Sequence, residues 1–138
     1  MKTHRLFDHT ADVGIDAEAT TAAELFEALA EGLAEVICPP GTVEAERAVH
    51  VEVAAEDREG LVVDFLNRVL HIIETERFLV AKVSVSRADD RAVSADVYGQ
   101  TYDPARHDWA REVKAVTYHQ LKVAREGDTW RGRVILDL

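Results

Sequence analysis

Asp8, His9, Thr10 and Asp12 fall within five positions of one another in the stretch DHTADVGI, residues 8 to 15. A plain turn needs only one Asx or Gly residue. One reading is local: Asp and Thr side chains bond the nearby backbone, and Gly14 lets two strands approach. The other is a site for a hard cation or a phosphate. At the far end of the chain, VILDL sets Asp137 beside Leu138, whose free α-carboxylate is itself an anionic oxygen ligand. If a sheet brings that end beside Asp12, three acidic groups meet. Such a group must bind a cation or raise the pKa of one member. Oxygen ligands without Cys or a close His pair favour Ca²⁺, Mg²⁺ or Mn²⁺ over Zn²⁺.

A third stretch, REVKAVTYHQLKV at residues 111–123, sets Lys114 among Val113, Ala115 and Val116, with Thr117, Tyr118 and His119 following. A cation there answers an acidic cluster or contacts phosphate. Taken singly, Lys114 also fits a solvated strand-edge lysine and His119 a packed strand histidine.

The elements that must position these residues follow from periodicity. Alternation in Arg5-Leu6-Phe7 and in Val13 to Glu18 predicts two short strands joined through the opening motif. Thr21 and Glu24 have capping-box spacing, and Leu25, Phe26, Leu29, Leu33, Val36 and Ile37 recur at helical intervals until Pro39-Pro40-Gly41. Val49, Val51 and Val53 alternate as a strand. A longer helix runs from Leu61 through Ile73 to near Arg77, with Asp64, Asn67, Arg68 and His71 on its polar positions. Two hairpins then follow. One turns at Ala88-Asp89-Asp90-Arg91 between runs centred on Val83 and Val93–Val97; the other turns at Glu126-Gly127-Asp128, between alternating residues from Tyr118 and a strand from Trp130 to Leu136. Two helices among some seven mostly antiparallel strands predict a two-layer α+β fold in one domain over residues 1–138. No repeat, linker or low-complexity segment divides the chain.

Composition supports one folded core: 138 residues, 47% of them hydrophobic, match the usual size and make-up of one domain. No uninterrupted apolar stretch approaches the roughly 20 residues that span a bilayer. The first residues lack the apolar segment of a signal peptide. Cys38 is the only cysteine, which excludes an internal disulfide and suits a reducing cytoplasm. Its place after Val36 and Ile37 and before Pro39 predicts a buried thiol at a helix end. The net charge of −10 argues against a broad RNA- or DNA-binding surface. Lys and Arg number nine against twenty Asp and Glu in residues 1–100, but seven against six in residues 101–138. The acidic excess is therefore upstream. It serves as a solvated acidic surface, or as a means of meeting a basic partner protein.

DHTADVGI, DFLNRVLHIIETERFL, EVKAVTYHQLKV and VILDL, in this order and at these separations, resemble the archease family over essentially the whole chain. The resemblance implies a small α+β protein that assists the RtcB-type RNA ligase without being the ligase. That ligase joins RNA ends bearing a 2′,3′-cyclic or 3′-phosphate to a 5′-hydroxyl, in tRNA splicing and RNA repair. The resemblance further implies that the protein promotes GTP-dependent guanylylation of the ligase's active-site histidine, allowing repeated turnover, with a divalent cation contributing. Asp12, Asp137 and Leu138 match the family's metal-binding positions, and Lys114 matches a functionally implicated lysine. Asp8, His9 and Thr10 then shape the turn and, with His119, supply supporting hydrogen bonds. A cation held there could bridge to GTP phosphates or complete coordination at the ligase.

Two other classes remain open on the residues alone. A stand-alone metal-dependent phosphoesterase would use the same carboxylates, though the sequence offers no nucleophile or second metal cluster for it. A general chaperone or protein-interaction module would need no metal.

Overall fold

The computed structural model describes residues 1–9 and 12–138, with the backbone alone at His9. Its elements run β1 (Lys2–His9), β2 (Asp12–Ala19), α1 (Ala22–Ile37), β3 (Arg47–Ala54), α2 (Arg58–Glu76), β4 (Phe78–Ala88), β5 (Ala92–Thr101), β6 (Ala115–Glu126) and β7 (Thr129–Asp137). The α+β class expected from periodicity is the one observed. The strands form two sheets: β1-β2-β7-β6 and β3-β5-β4. Every pairing in them is antiparallel.

Each helix begins where its sequence supplies a cap. The Thr21 hydroxyl accepts the Glu24 amide at 3.1 Å, and the Asp57 carboxylate accepts the Gly60 amide at 2.7 Å, satisfying donors that the first turn leaves unpaired. α1 stops at Cys38, which is buried as its position predicts, just before the proline pair. Among the described residues no helix is long and apolar enough to cross a membrane.

The helices join the sheets. α1 lies against β1, β2 and β7 of the larger sheet and against β4 of the smaller; α2 lies against β6 of the larger and all three strands of the smaller. This is why α1 buries residues on more than one face, Ala28, Ala30 and Gly32 as well as Leu25, Leu29 and Leu33. Phe26 and Phe65 join the helices edge to face, with ring centroids 5.5 Å apart.

Polar side chains finish the strand edges. Glu31 and Glu27 of α1 accept the amides of Val83 and Val85 at 3.0 and 2.8 Å, so the outer edge of β4 is occupied at those points. Lys2 bonds both carboxylates at 3.1 and 3.2 Å and ties β1 to the same seam. Asn67 of α2 treats Val116 of β6 as a strand would: its carbonyl accepts the Val116 amide at 2.9 Å, and its amide donates to the Val116 carbonyl at 3.1 Å.

One expectation fails inside β6. The alternation read from Tyr118 onward as a continuous strand is interrupted, because Thr117 pairs with Ile135 and the next registered pair is Lys122 with Arg133. Five steps on β6 oppose two on β7. The surplus residues form a bulge, and Gln120 adopts φ 52 within it.

Candidate functional site

The larger sheet decides which of the singled-out residues meet. β1 and β2 pair through residues 2–9 and 12–19, so DHTADVGI contains the strand connection predicted from alternation. Gly14 makes room for a side chain and not for the close strand approach expected of it: a Cβ there would fall 2.0 Å from Cζ of Phe7, whose ring lies across the glycine. β2 in turn pairs with β7, and Asp12 stands directly opposite Asp137. Cross-strand partners point to the same face with Cβ atoms about 5 Å apart. Ala115 of β6 continues the row beyond Asp137, and His9 of β1 is the backbone partner of Asp12 on the other side. The second and last strands of the chain thus put two carboxylates side by side at one end of the sheet.

Lys114 joins them through its backbone. Its amide donates to the Asp137 carbonyl at 2.8 Å, fixing the chain just before β6 against the end of β7. The Lys114 side chain is exposed, as is Asp137, whereas Asp12 is half-buried. Leu138 is half-buried and packs against the core, which restrains the residue next to Asp137. Val113 and Val116 are buried on either side of Lys114, so its position is set by apolar anchors while its ammonium stays in water.

The remaining candidates lie elsewhere. Asp8 pairs with Val13, which puts it on the opposite face of the sheet from Asp12; there it lines a hollow of about 400 Å³ with Glu35 and Arg111. His119 is exposed on the β6 bulge, its amide donating to the Thr117 hydroxyl at 3.3 Å. Thr10 and the side chain of His9 lie outside the described residues.

Among the described residues no three His, Cys, Asp or Glu side chains group as a ready metal-binding set. The row offers two side-chain carboxylates, Asp12 and Asp137. That donor set fits a hard cation which keeps bound water or takes oxygen from a partner, since Mg²⁺ is commonly held by one or two carboxylates and Ca²⁺ accepts mixed oxygen ligands. It does not fit a closed structural zinc site, which needs four N or S ligands.

Two features of the sheet escaped the sequence reading. Asn67 falls on the polar positions of the second helix, yet it holds the strand that leads out of Lys114 and Ala115. An amide between Leu66 and Arg68, one step from a run of apolar residues, was the available signal. The second is an ionic row farther along the same sheet face, Arg5, Asp16, Arg133 and Lys122.

A family model described as the Archease protein family (MTH1598/TM1083) matches residues 4–138. A relative named protein archease from Pyrococcus furiosus is 33% identical, with the whole of both chains covered. Its counterpart from Methanosarcina acetivorans is 32% identical over 99% of this chain and 97% of its own. The solution structure of protein 1598 of Methanobacterium thermoautotrophicum superposes with a TM-score of 0.82 at 36% identity, over 98% of each chain. The crystal structure of an archease from Thermotoga maritima, called a possible chaperone, gives a TM-score of 0.61 at 20% identity, covering 96% of this chain and 94% of its own. At that identity the likeness concerns the fold.

Proposed function

Because the chain belongs to the archease family, we propose that it is an accessory protein of an RtcB-type RNA ligase, promoting the ligase's GTP-dependent guanylylation and so its repeated turnover. The observation that carries this reading is the opposition of Asp12 and Asp137 at the sheet end, with Lys114 bonded through its backbone to Asp137.

Asp12, Asp137 and the Leu138 α-carboxylate are the groups proposed to hold a divalent cation, Ca²⁺, Mg²⁺ or Mn²⁺. When bound, such a cation neutralises charge on phosphate oxygens. The chain's own contribution is preorganisation. Strand pairing sets the separation of the Asp12 and Asp137 carboxylates, and Leu138, next in the chain, packs against the core. Lys114 offers an exposed ammonium within reach of a ligase carboxylate or a phosphate. Three carboxylates leave coordination positions free on a cation that takes six or more oxygens, which suits a site completed by the partner's oxygen atoms or by a nucleotide.

The test is a guanylylation and ligation assay with excess GTP and RNA, with and without this protein. Asp12→Ala and Asp137→Ala are each expected to remove the stimulation while leaving the domain folded, because neither side chain belongs to the core. Lys114→Gln is expected to depress guanylylation with metal binding retained. Unchanged multiple turnover with folded Asp12→Ala protein would overturn the metal-site assignment.

A further inference from the structure

The outer face of the larger sheet, away from α1, reads as successive cross-strand rows. Next to the Asp12–Asp137 row is an apolar row in which Phe7 covers Gly14 beside Ile135 and Thr117. The following row is ionic across all four strands: Arg5 on β1, Asp16 on β2, Arg133 on β7 and Lys122 on β6. The row after it carries Glu18 and Arg131. These residues line an open trough of about 740 Å³, within the range of roughly 300–1,000 Å³ usual for small-ligand sites.

We propose that this trough binds the phosphates of a ligand bearing a di- or triphosphate chain. Four cations, Arg5, Lys122, Arg131 and Arg133, meet two carboxylates there, Asp16 and Glu18, in a chain whose net charge is −10. Glu126 at the margin pairs with Lys122 and Arg131 at 3.1 and 3.0 Å, which leaves the local balance positive.

Asp16 prepares the cations rather than cancelling them. It accepts from Arg133 Nε and Nη2 at 2.7 and 2.8 Å and from Arg5 Nη2 at 2.9 Å. Two guanidinium groups carry ten N–H donors, so most of them stay available for another acceptor. Planar forks held in place in this way suit phosphate oxygens.

The width of the row selects the ligand. With strands about 4.8 Å apart, Arg5 and Lys122 are separated by three spacings, about 14 Å. A lone phosphate or sulfate cannot span that distance, whereas linked phosphates can contact successive cations. Among the described residues lining the trough the one ring is the His4 imidazole, which is bonded to Glu35 at 2.6 Å. The Phe7 ring is covered by Arg133 and Arg5, at 4.7 and 5.9 Å from the ring centroid, and abuts Gly14. Recognition therefore rests on the phosphate chain and not on the base. The β6 bulge supplies a wall, because Gln120 lines the trough beside Lys122. The trough lies four residues along β2 from Asp12, about 13 Å away, so it is separate from the carboxylate pair and needs no ligase to be detected.

The experiment is calorimetric titration of the full chain with inorganic tripolyphosphate, pyrophosphate and sulfate at low ionic strength. Saturable one-site binding is expected, tightest for tripolyphosphate. The Kd should rise at least tenfold in the Lys122→Gln/Arg131→Gln variant and stay unchanged in Arg87→Gln, whose cation sits on the other sheet. Should the double variant lose its fold, Lys122→Gln alone carries the test, since that side chain is 54% exposed and belongs to no core. Absence of saturable binding overturns the proposal. So does equal loss in Arg87→Gln, or equally tight binding of an oligoglutamate or of a single-stranded RNA without a terminal polyphosphate.

Discussion

At Gly14 a single missing methyl group decides how the outer face of the larger sheet is built. The Phe7 ring occupies the space that any Cβ would need, with three ring carbons within 2.5 Å of that position. Gly14→Ala must displace the ring from beneath Arg133, and the cost is expected at about 1–3 kcal/mol, as for other overpacked sites. The double variant Phe7→Ala/Gly14→Ala should recover part of that loss. A urea-unfolding cycle over the four proteins measures it as a favourable coupling term; additive costs would mean that the ring is not the obstacle. The sequence pointed to a spacing role for the glycine, but only the pairing of Phe7 with Gly14 shows that a ring, and not a neighbouring backbone, fills the space. Asp12 and Asp137 were readable as residue types but not as neighbours, since only the pairing of β2 with β7 joins positions 125 residues apart. Arg5, Asp16 and Arg133 were unreadable as a set, because each one alone is an ordinary solvated residue on an alternating strand.

At the scale of elements, side chains that imitate backbone fasten helices to strand edges. Asn67 satisfies both main-chain groups of the buried Val116. Asn67→Leu removes the partner of each, and a buried group left unsatisfied costs about 1–3 kcal/mol. The expected result is lower stability together with faster amide exchange at Val116 and its neighbours, including Lys114, while the opposite end of β6 keeps its protection. The ionic row fastens strands instead of edges, since Asp16 links β1, β2 and β7. Arg133 first, and Arg5 after it, hold the Asp16 carboxyl below its ordinary value in spite of partial burial. A carboxylate depressed in the folded state contributes stability above the unfolded pKa of about 4, and that contribution is lost as pH falls through the lower folded value. Asp16→Asn should therefore destabilise the protein at pH 7 and lose less further stability than wild type between pH 5 and pH 2. Parallel pH dependences in urea titrations would contradict this. Helices and hairpins were legible because capping residues, apolar period and turn residues lie close together in sequence. The β6 bulge was not, because the change of apolar phase from Val116 and Tyr118 to Leu121 and Val123 is one short step in sequence and does not say where the register with β7 breaks.

For the molecule as a whole, sequence supplied the number and kind of elements but not their division into two sheets. That division depends on β7 returning to lie between β2 and β6, a long-range choice made by burial of Val134 and Leu136 against α1 and its neighbours. The consequence is thermodynamic. Both helices touch both sheets, and nearly all the buried apolar residues form one contiguous cluster, so neither sheet retains its core if the other is lost. The two tryptophans sit where they can report on this. Trp130 lies on β7 of the larger sheet, with Arg58 of α2 over its ring at 4.7 Å. Trp109 stacks beside Arg77 at 4.1 Å and meets the Tyr102 ring edge to face at 5.3 Å, where β4 begins and β5 ends in the smaller sheet. Single-tryptophan variants, Trp109→Phe and Trp130→Phe, therefore follow the two sheets separately by fluorescence. In each variant the fluorescence transition in urea should coincide with its own far-UV circular dichroism transition, which is the signature of all-or-none unfolding. Leu29→Ala, which truncates a fully buried α1 residue, should move both reporters to lower urea together by a loss of about 2–5 kcal/mol. If Trp109 kept its native signal while Trp130 lost it, the sheets would be separable units, and the helices would not couple them as their shared core requires.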